Sequence, residues 1–270
     1  MSGYIALAPA DLALGSLLVL ANAGLSLGLQ LGIHRRLLVA ACRMVIQLSL
    51  MGLVLAALFS HVSPLWTGLA ALFMVLFAGR EAVARQDRPL AGWWSFGLGT
   101  GAMTMAASLV TLFALTTALG PDPWYDPRYA IPLLGMILGN TMTGVSLGLH
   151  SLCNGVVLRR SAVEARLMLG ATRMEALGPV IRDSLRSALM PVINSMAATG
   201  VVSLPGMMTG QILGGVAPME AVKYQILIMF LISGGTGLGA VAAVLGGMHR
   251  LTDHRHRLRL DRLSPGKTSA

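Results

Sequence analysis

Residues 222–247 read VKYQILIMFLISGGTGLGAVAAVLGG, an apolar run whose one charge, Lys223, stands at its edge. As a helix it would reach about 39 Å at 1.5 Å per residue, more than the ~30 Å hydrocarbon layer of a bilayer. Its apolar character is continuous and does not alternate at every second residue, which selects a membrane helix over a barrel strand. Scanning outward for runs of the same kind gives spans at 11–33, 44–60, 64–79, 91–119, 129–149 and 189–213, seven in all with the quoted one.

Composition agrees. Of 270 residues 55% are hydrophobic, 32 are glycine and only 11% are charged, with a mean hydropathy of +0.72. A soluble globule needs roughly 25% charged residues to coat itself, so a soluble enzyme is excluded. Seven spans absorb about 140 residues and leave no room for a separate catalytic domain. The fold class is an all-α integral membrane protein with about seven transmembrane helices, forming one domain over 1–270. Cys42 and Cys153 are the two cysteines and form no CxxC, so neither a disulfide framework nor a thiolate metal cage is indicated. Residues 1–10 carry no Lys or Arg, which argues against a cleaved signal peptide and for a first span that stays in place.

The basic residues set the orientation. Eighteen of the 20 fall in the connections after spans one, three, five and seven, leaving Arg128 and Lys223 opposite. The positive-inside rule then places the N-terminus outside and a basic tail, 248–270, in the cytoplasm, as expected for an inner (plasma) membrane protein. The net charge of +9 is accounted for by this topology and by attraction to anionic headgroups, with no nucleic acid partner required. Glycines recur at helical spacing, as in Gly24/Gly28/Gly32, Gly144/Gly148 and Gly235/Gly239, where helices can approach closely within a chain or between two.

Residues 150–189 form the longest non-membrane segment. Ser161-Ala-Val-Glu164 and Thr172-Arg-Met-Glu175 both have the S/T-x-x-E form of a capping box, with Gly170 between them where a left-handed residue ends a helix and Gly178-Pro179 as a later break. The expectation is a cytoplasmic helix-turn-helix elbow of two short helices, with Arg166 and Arg173 outward and Leu167, Leu169 and Met174 as an apolar knob.

The stretch Glu164-Ala165-Arg166-Leu167-Met168-Leu169-Gly170-Ala171 resembles the EAA motif of ABC-transporter permeases, with Arg166 where that motif has Ala. The runs 131–144 (IPLLGMILGNTMTG), 204–215 (LPGMMTGQILGG) and 221–225 (AVKYQ) extend the likeness, and the chain is similar to the FetB-type permease family, to which plant aluminium-tolerance permeases are also similar. The resemblance implies a homodimeric permease subunit exporting iron, coupled through Glu164, Ala165, Gly170, Thr172 and Glu175 to a separate ABC ATPase that holds the ATP and Mg.

Residue chemistry points the same way. All eleven acidic residues map to loops or span ends, so no membrane-buried carboxylate is available for ion coupling. The one Gly-Lys-Thr, 266–268, lacks the first glycine of a P-loop and any helix behind it, so the chain binds no cofactor of its own and the energy must come from a partner. Gln47, Asn140, Thr141, Thr143, Asn194, Met207, Met208 and Gln211 are polar or soft side chains inside spans and are candidates for the translocation path. Pro205-Gly206 interrupts span six and frees backbone carbonyls beside Met207 and Met208. No residue set designates a metal site, and most of the 17 methionines read as packing. Two alternatives remain open: a self-sufficient channel or secondary carrier, and an ABC permease for an organic anion such as a nucleotide-sugar.

Overall fold

The computed structural model describes residues 8–86, 88–253 and 255–264. The Gly266-Lys267-Thr268 reading and the end of the basic tail lie outside the described residues, as do Asp87 and His254. Among the described residues nine α-helices run in order: α1 Pro9–Gly28, α2 His34–Ser60, α3 Pro64–Ala84, α4 Trp94–Phe113, α5 Pro127–Leu158, α6 Arg160–Met168, α7 Arg173–Ala198, α8 Gly206–Leu213 and α9 Pro218–Leu251, and α4 is prolonged by a π-helical turn, Ala114–Leu119. Among the described residues extended pairing is limited to isolated bridges.

Prolines start these helices. Pro9, Pro64, Pro127 and Pro218 occupy the first turns of α1, α3, α5 and α9, where a missing N–H costs nothing and the fixed φ suits the helix. Asp126 caps α5 by accepting from the Arg128 N–H at 2.9 Å.

Among the described residues six helices are long and apolar enough to cross a membrane: α1, α2, α3, α4 with its π turn, α5 and α9. The remaining span expected at 189–213 is divided between the second half of α7 and the short α8, with a break at 199–205 that includes Pro205. Two local expectations are corrected. Gly178-Pro179 does not interrupt the chain, because α7 is continuous through both Pro179 and Pro191. Its buried face, Ala176, Leu177, Val180, Ile181 and Ser184, is held against the bundle, and such support re-satisfies backbone groups freed by proline. Ser161 caps nothing: α6 begins one residue earlier at Arg160, and Glu164 pairs with the Arg160 guanidinium at 2.9 Å.

Helix α5 is the axis of the bundle, packed by α9, α7, α4 and α3. Close approach rests on glycine. A methyl group on Gly144 would lie 2.6 Å from the Thr236 methyl and 3.3 Å from the Ala188 carbonyl oxygen, and one on Gly239 would lie 2.5 Å from the Thr141 methyl. These two stripes therefore serve contacts within the chain. Helices α1 and α2 pair with each other and touch the bundle little.

One end of the bundle is tied together. There a second apolar cluster joins Leu152, Val156, Val163, Leu177, Val244 and Leu251. The segment after α9 folds back beneath it as a strap. Asp253 accepts from the Arg255 and Arg257 N–H groups at 2.9 and 2.8 Å, Ser264 N–H donates to Pro89 O at 2.9 Å, and Ala91 N–H donates to Arg262 O at 2.8 Å. Leu258, Leu260 and Leu263 pack on the cluster. The Arg257 backbone N–H holds the Asp253 carboxyl below its usual pKa, with help from the Arg257 guanidinium and the Arg255 N–H.

Candidate functional site

The elbow is built by local sequence. Arg159 alone joins α5 to α6, with φ −103° and ψ 21°. Helix α6 ends in a Schellman arrangement, Gly170 N–H to Leu167 O and Ala171 N–H to Arg166 O, both 3.1 Å, and Gly170 has the φ of +89° that this turn needs and that other residues resist. Thr172 then starts α7. Its hydroxyl accepts from the Glu175 N–H at 3.4 Å, while the Glu175 carboxylate accepts from the Thr172 N–H at 2.8 Å and its hydroxyl at 2.9 Å. Those two bonds, the backbone one first, hold the Glu175 carboxyl below its ordinary pKa. The strap reaches this point too, where His256 Nδ1 accepts from the Arg173 N–H at 3.2 Å.

The elbow buries one face and presents the other. Val163 is buried, whereas Leu158, Met168 and Leu169 are 84%, 82% and 88% exposed. Leu167 packs inward on the cluster, so the outward knob consists of Leu158, Met168 and Leu169 with half-exposed Met174. Ala165 and Arg166 are exposed beside it.

The polar residues of the spans divide into groups. Gln47 lies on exposed α2, in a shallow groove with Leu38, Cys42 and Arg43. Thr141 is fully buried between α5 and α9, with its hydroxyl oxygen lacking a hydrogen-bond partner. Asn140 and Thr143 point outward and bond their own helix, at Met136 O (2.9 Å) and Gly139 O (3.2 Å). Asn194 is exposed on α7. The contacts of Gly155 with Val180 and of Gly144 with Ala188 fix an antiparallel register that carries Asn140 and Asn194 to one height on neighbouring helices. Met207 faces out, Met208 is buried, and the buried Gln211 Oε1 lacks a partner.

Further polar groups lie outside the eight path candidates. The buried Gln225 Oε1 and Thr236 Oγ1 on α9 lack partners in the same bundle. Nearer the elbow, a groove between α5 and α7 of about 340 Å³ is lined by His150, Ser151, Asn154, Arg159, Asp183 and Ser187. Asn154 Nδ2 and His150 Nε2 are 3.1 Å apart, and Arg159 pairs with Asp183 at 2.8 Å. Among the described residues no three His, Cys, Asp or Glu side chains converge as a metal centre would require.

Taken together, six long apolar helices, a broken α7–α8 segment and an elbow held at one end describe a polytopic helical membrane protein. Residues 9–252 match the model of the family described as "Uncharacterised protein family (UPF0014)", and the chain belongs to that family. It is 37% identical over 232 residues to a UPF0014 membrane protein of Synechocystis, covering 84% of this chain and 86% of the relative. It is 34% identical over 248 residues to the "Probable iron export permease protein FetB" of Escherichia coli, covering 92% and 93%. The Arabidopsis thaliana "Protein ALUMINUM SENSITIVE 3" is 34% identical over 219 residues, covering 81% and 78%. The resemblance to the FetB-type permease family, drawn from residues 131–144, 204–215 and 221–225 and the Glu164 elbow, thus holds. No solved structure matches.

Proposed function

We propose that this chain is the permease subunit of an ABC transporter that exports iron across the inner membrane, driven by ATP hydrolysed with Mg on a separate ATPase subunit. The observation that carries the reading is the elbow: an exposed apolar knob, Leu158, Met168 and Leu169, continuous through the Gly170 turn with α7. A 26-residue helix is about 39 Å long, enough to transmit a push from the elbow deep into the bundle. The name of the Escherichia coli relative, similar over nearly the whole chain, supports iron as cargo. Glu164, Ala165, Gly170, Thr172 and Glu175 form the ATPase-coupling segment, and the chain itself does no catalysis. Asn140, Thr143 and Asn194, level on α5 and α7, are the part of the path set that two copies facing each other in a homodimer would enclose.

The elbow end, with the strap, faces the cytoplasm, and the start of α1 faces outside. Cysteines placed at Met168 or Leu169 should crosslink to a co-expressed ATPase, and the complex in liposomes should hydrolyse ATP faster when ferrous iron is present. ATPase stimulation by an organic anion but not by iron would replace the cargo. Iron pumped uphill by the isolated chain without nucleotide, with no crosslink formed, would overturn the coupled mechanism.

A further inference from the structure

We propose that the groove between α5 and α7 is a loading site for a hydrated divalent first-row cation, in which Arg159 competes with the cation for Asp183 and movement of the elbow shifts that competition. This deepens the export reading and rests on it for the identity of the cargo, while the site itself stands on the groove.

The walls supply a mixed donor set. His150, Ser151 and Asn154 come from one face of α5, and Asp183 and Ser187, one turn apart, from α7. The register set by Gly155 with Val180 and Gly144 with Ala188 brings His150 level with Asp183 across the groove. His150 Nε2, which the Asn154 amide holds at 3.1 Å and would yield to the ion, together with the Asp183 carboxylate and the serine hydroxyls, suits divalent first-row metals and not Cu(I), which prefers thioethers and thiolates. A groove of about 340 Å³ admits a cation with its water shell, since six waters at roughly 30 Å³ each occupy about 180 Å³. Two ionisable ligands are fewer than the three or four that retain a resident metal, as a carrier site requires if it is to release what it binds.

Arg159 gives the site its control. It is the single residue between α5 and α6, and its guanidinium occupies the Asp183 carboxylate at 2.8 Å. Both walls of the groove run directly into the elbow, α5 through Arg159 and α7 through Thr172. A swing of α6 about Arg159 therefore changes the groove and the ion pair together, exchanging an arginine for a cation at Asp183.

The test is binding of Mn(II) ions alone to the purified full chain in lipid nanodiscs with no ATPase, followed by loss of the free Mn(II) EPR signal. The wild type should bind one ion per chain, and His150→Ala or Asp183→Asn should weaken binding at least about tenfold. Arg159→Gln should tighten it several-fold, a gain that misfolding cannot produce. Arg160→Gln removes the same charge one residue on, from a side chain paired with Glu164, and should leave affinity unchanged. Absence of binding in both wild type and Arg159→Gln, equal tightening by Arg160→Gln, or binding indifferent to His150 and Asp183 overturns the site. Failure of ATP coupling with this pattern intact would instead reject the transporter mechanism and leave the site standing.

Discussion

Helices α2 and α9 are equally apolar, yet none of the most apolar stretch of α2 is buried in the protein while 44% of that of α9 is. In water such a difference would be unintelligible. In lipid it is ordinary, because an apolar side chain gains little by exchanging acyl chains for other side chains, and what joins helices is close approach and packing. Along α9, Gly235, Gly239, Gly246 and Gly247 all bring the backbone against neighbours, whereas the lone Gly52 of α2 has nothing near it. Glycine permits such contact without compelling it, since Gly24 and Gly28 of α1 also face open space. The hairpin of α1 and α2 is tethered to α3 by Arg43, which pairs with Glu81 at 2.7 Å and lies 5.3 Å from the Phe77 ring centre.

The contrast is breakable by substitution. Leu149→Ala, which empties a fully buried site in α5, should cost about 2–5 kcal/mol in reversible unfolding, while Leu53→Ala on α2, 71% exposed, should stay within about 0.5 kcal/mol. Equal losses would mean that the hairpin is as tightly packed as the bundle. Gly144→Ala inserts a methyl against Thr236 and the Ala188 carbonyl and should destabilise by roughly 1–3 kcal/mol, against little change for Gly28→Ala.

The elbow sharpens the same contrast, because it is fixed by backbone geometry where the hairpin is not. Gly170→Ala forces a side chain into the left-handed region and should cost about 1–2 kcal/mol, read as faster amide exchange around 167–173. Thr172→Ala should cost about 1 kcal/mol at the start of α7. The Glu175 half of that cap depends on pH: with its folded pKa lowered, its contribution is full above the unfolded value of about 4.3 and is lost as pH falls through the depressed folded value. Exchange protection in the first turn of α7, relative to the intrinsic rate at each pH, should therefore fall in acid for the wild type and not for Glu175→Gln. The smallest effect belongs to Arg43→Gln, whose partly exposed ion pair should contribute about 0.2–1 kcal/mol and whose loss should free the hairpin in spin-label distances between α2 and α3.

Much of this was legible from the chain. Long uncharged runs announce spans, and the turn at Gly170 and the Thr172–Glu175 cap are written in adjacent residues whose chemistry is local. What escaped was set by contact at a distance. Gly178-Pro179 looks like a stop until the neighbours that steady α7 are known. His150 and Asp183 stand far apart in sequence and share a groove only because glycines let α5 and α7 lie close. The strap had a signal that charge obscured: Leu258, Leu260 and Leu263 recur among the arginines and pack on the apolar cluster.

That strap has a consequence for biogenesis. Ribosomes deliver Pro89–Ala91 well before residues 252–264, so that loop waits unfastened while α4 to α9 are inserted. This fastening happens only once α9 has been threaded, and a chain released before it would emerge with its elbow unsecured.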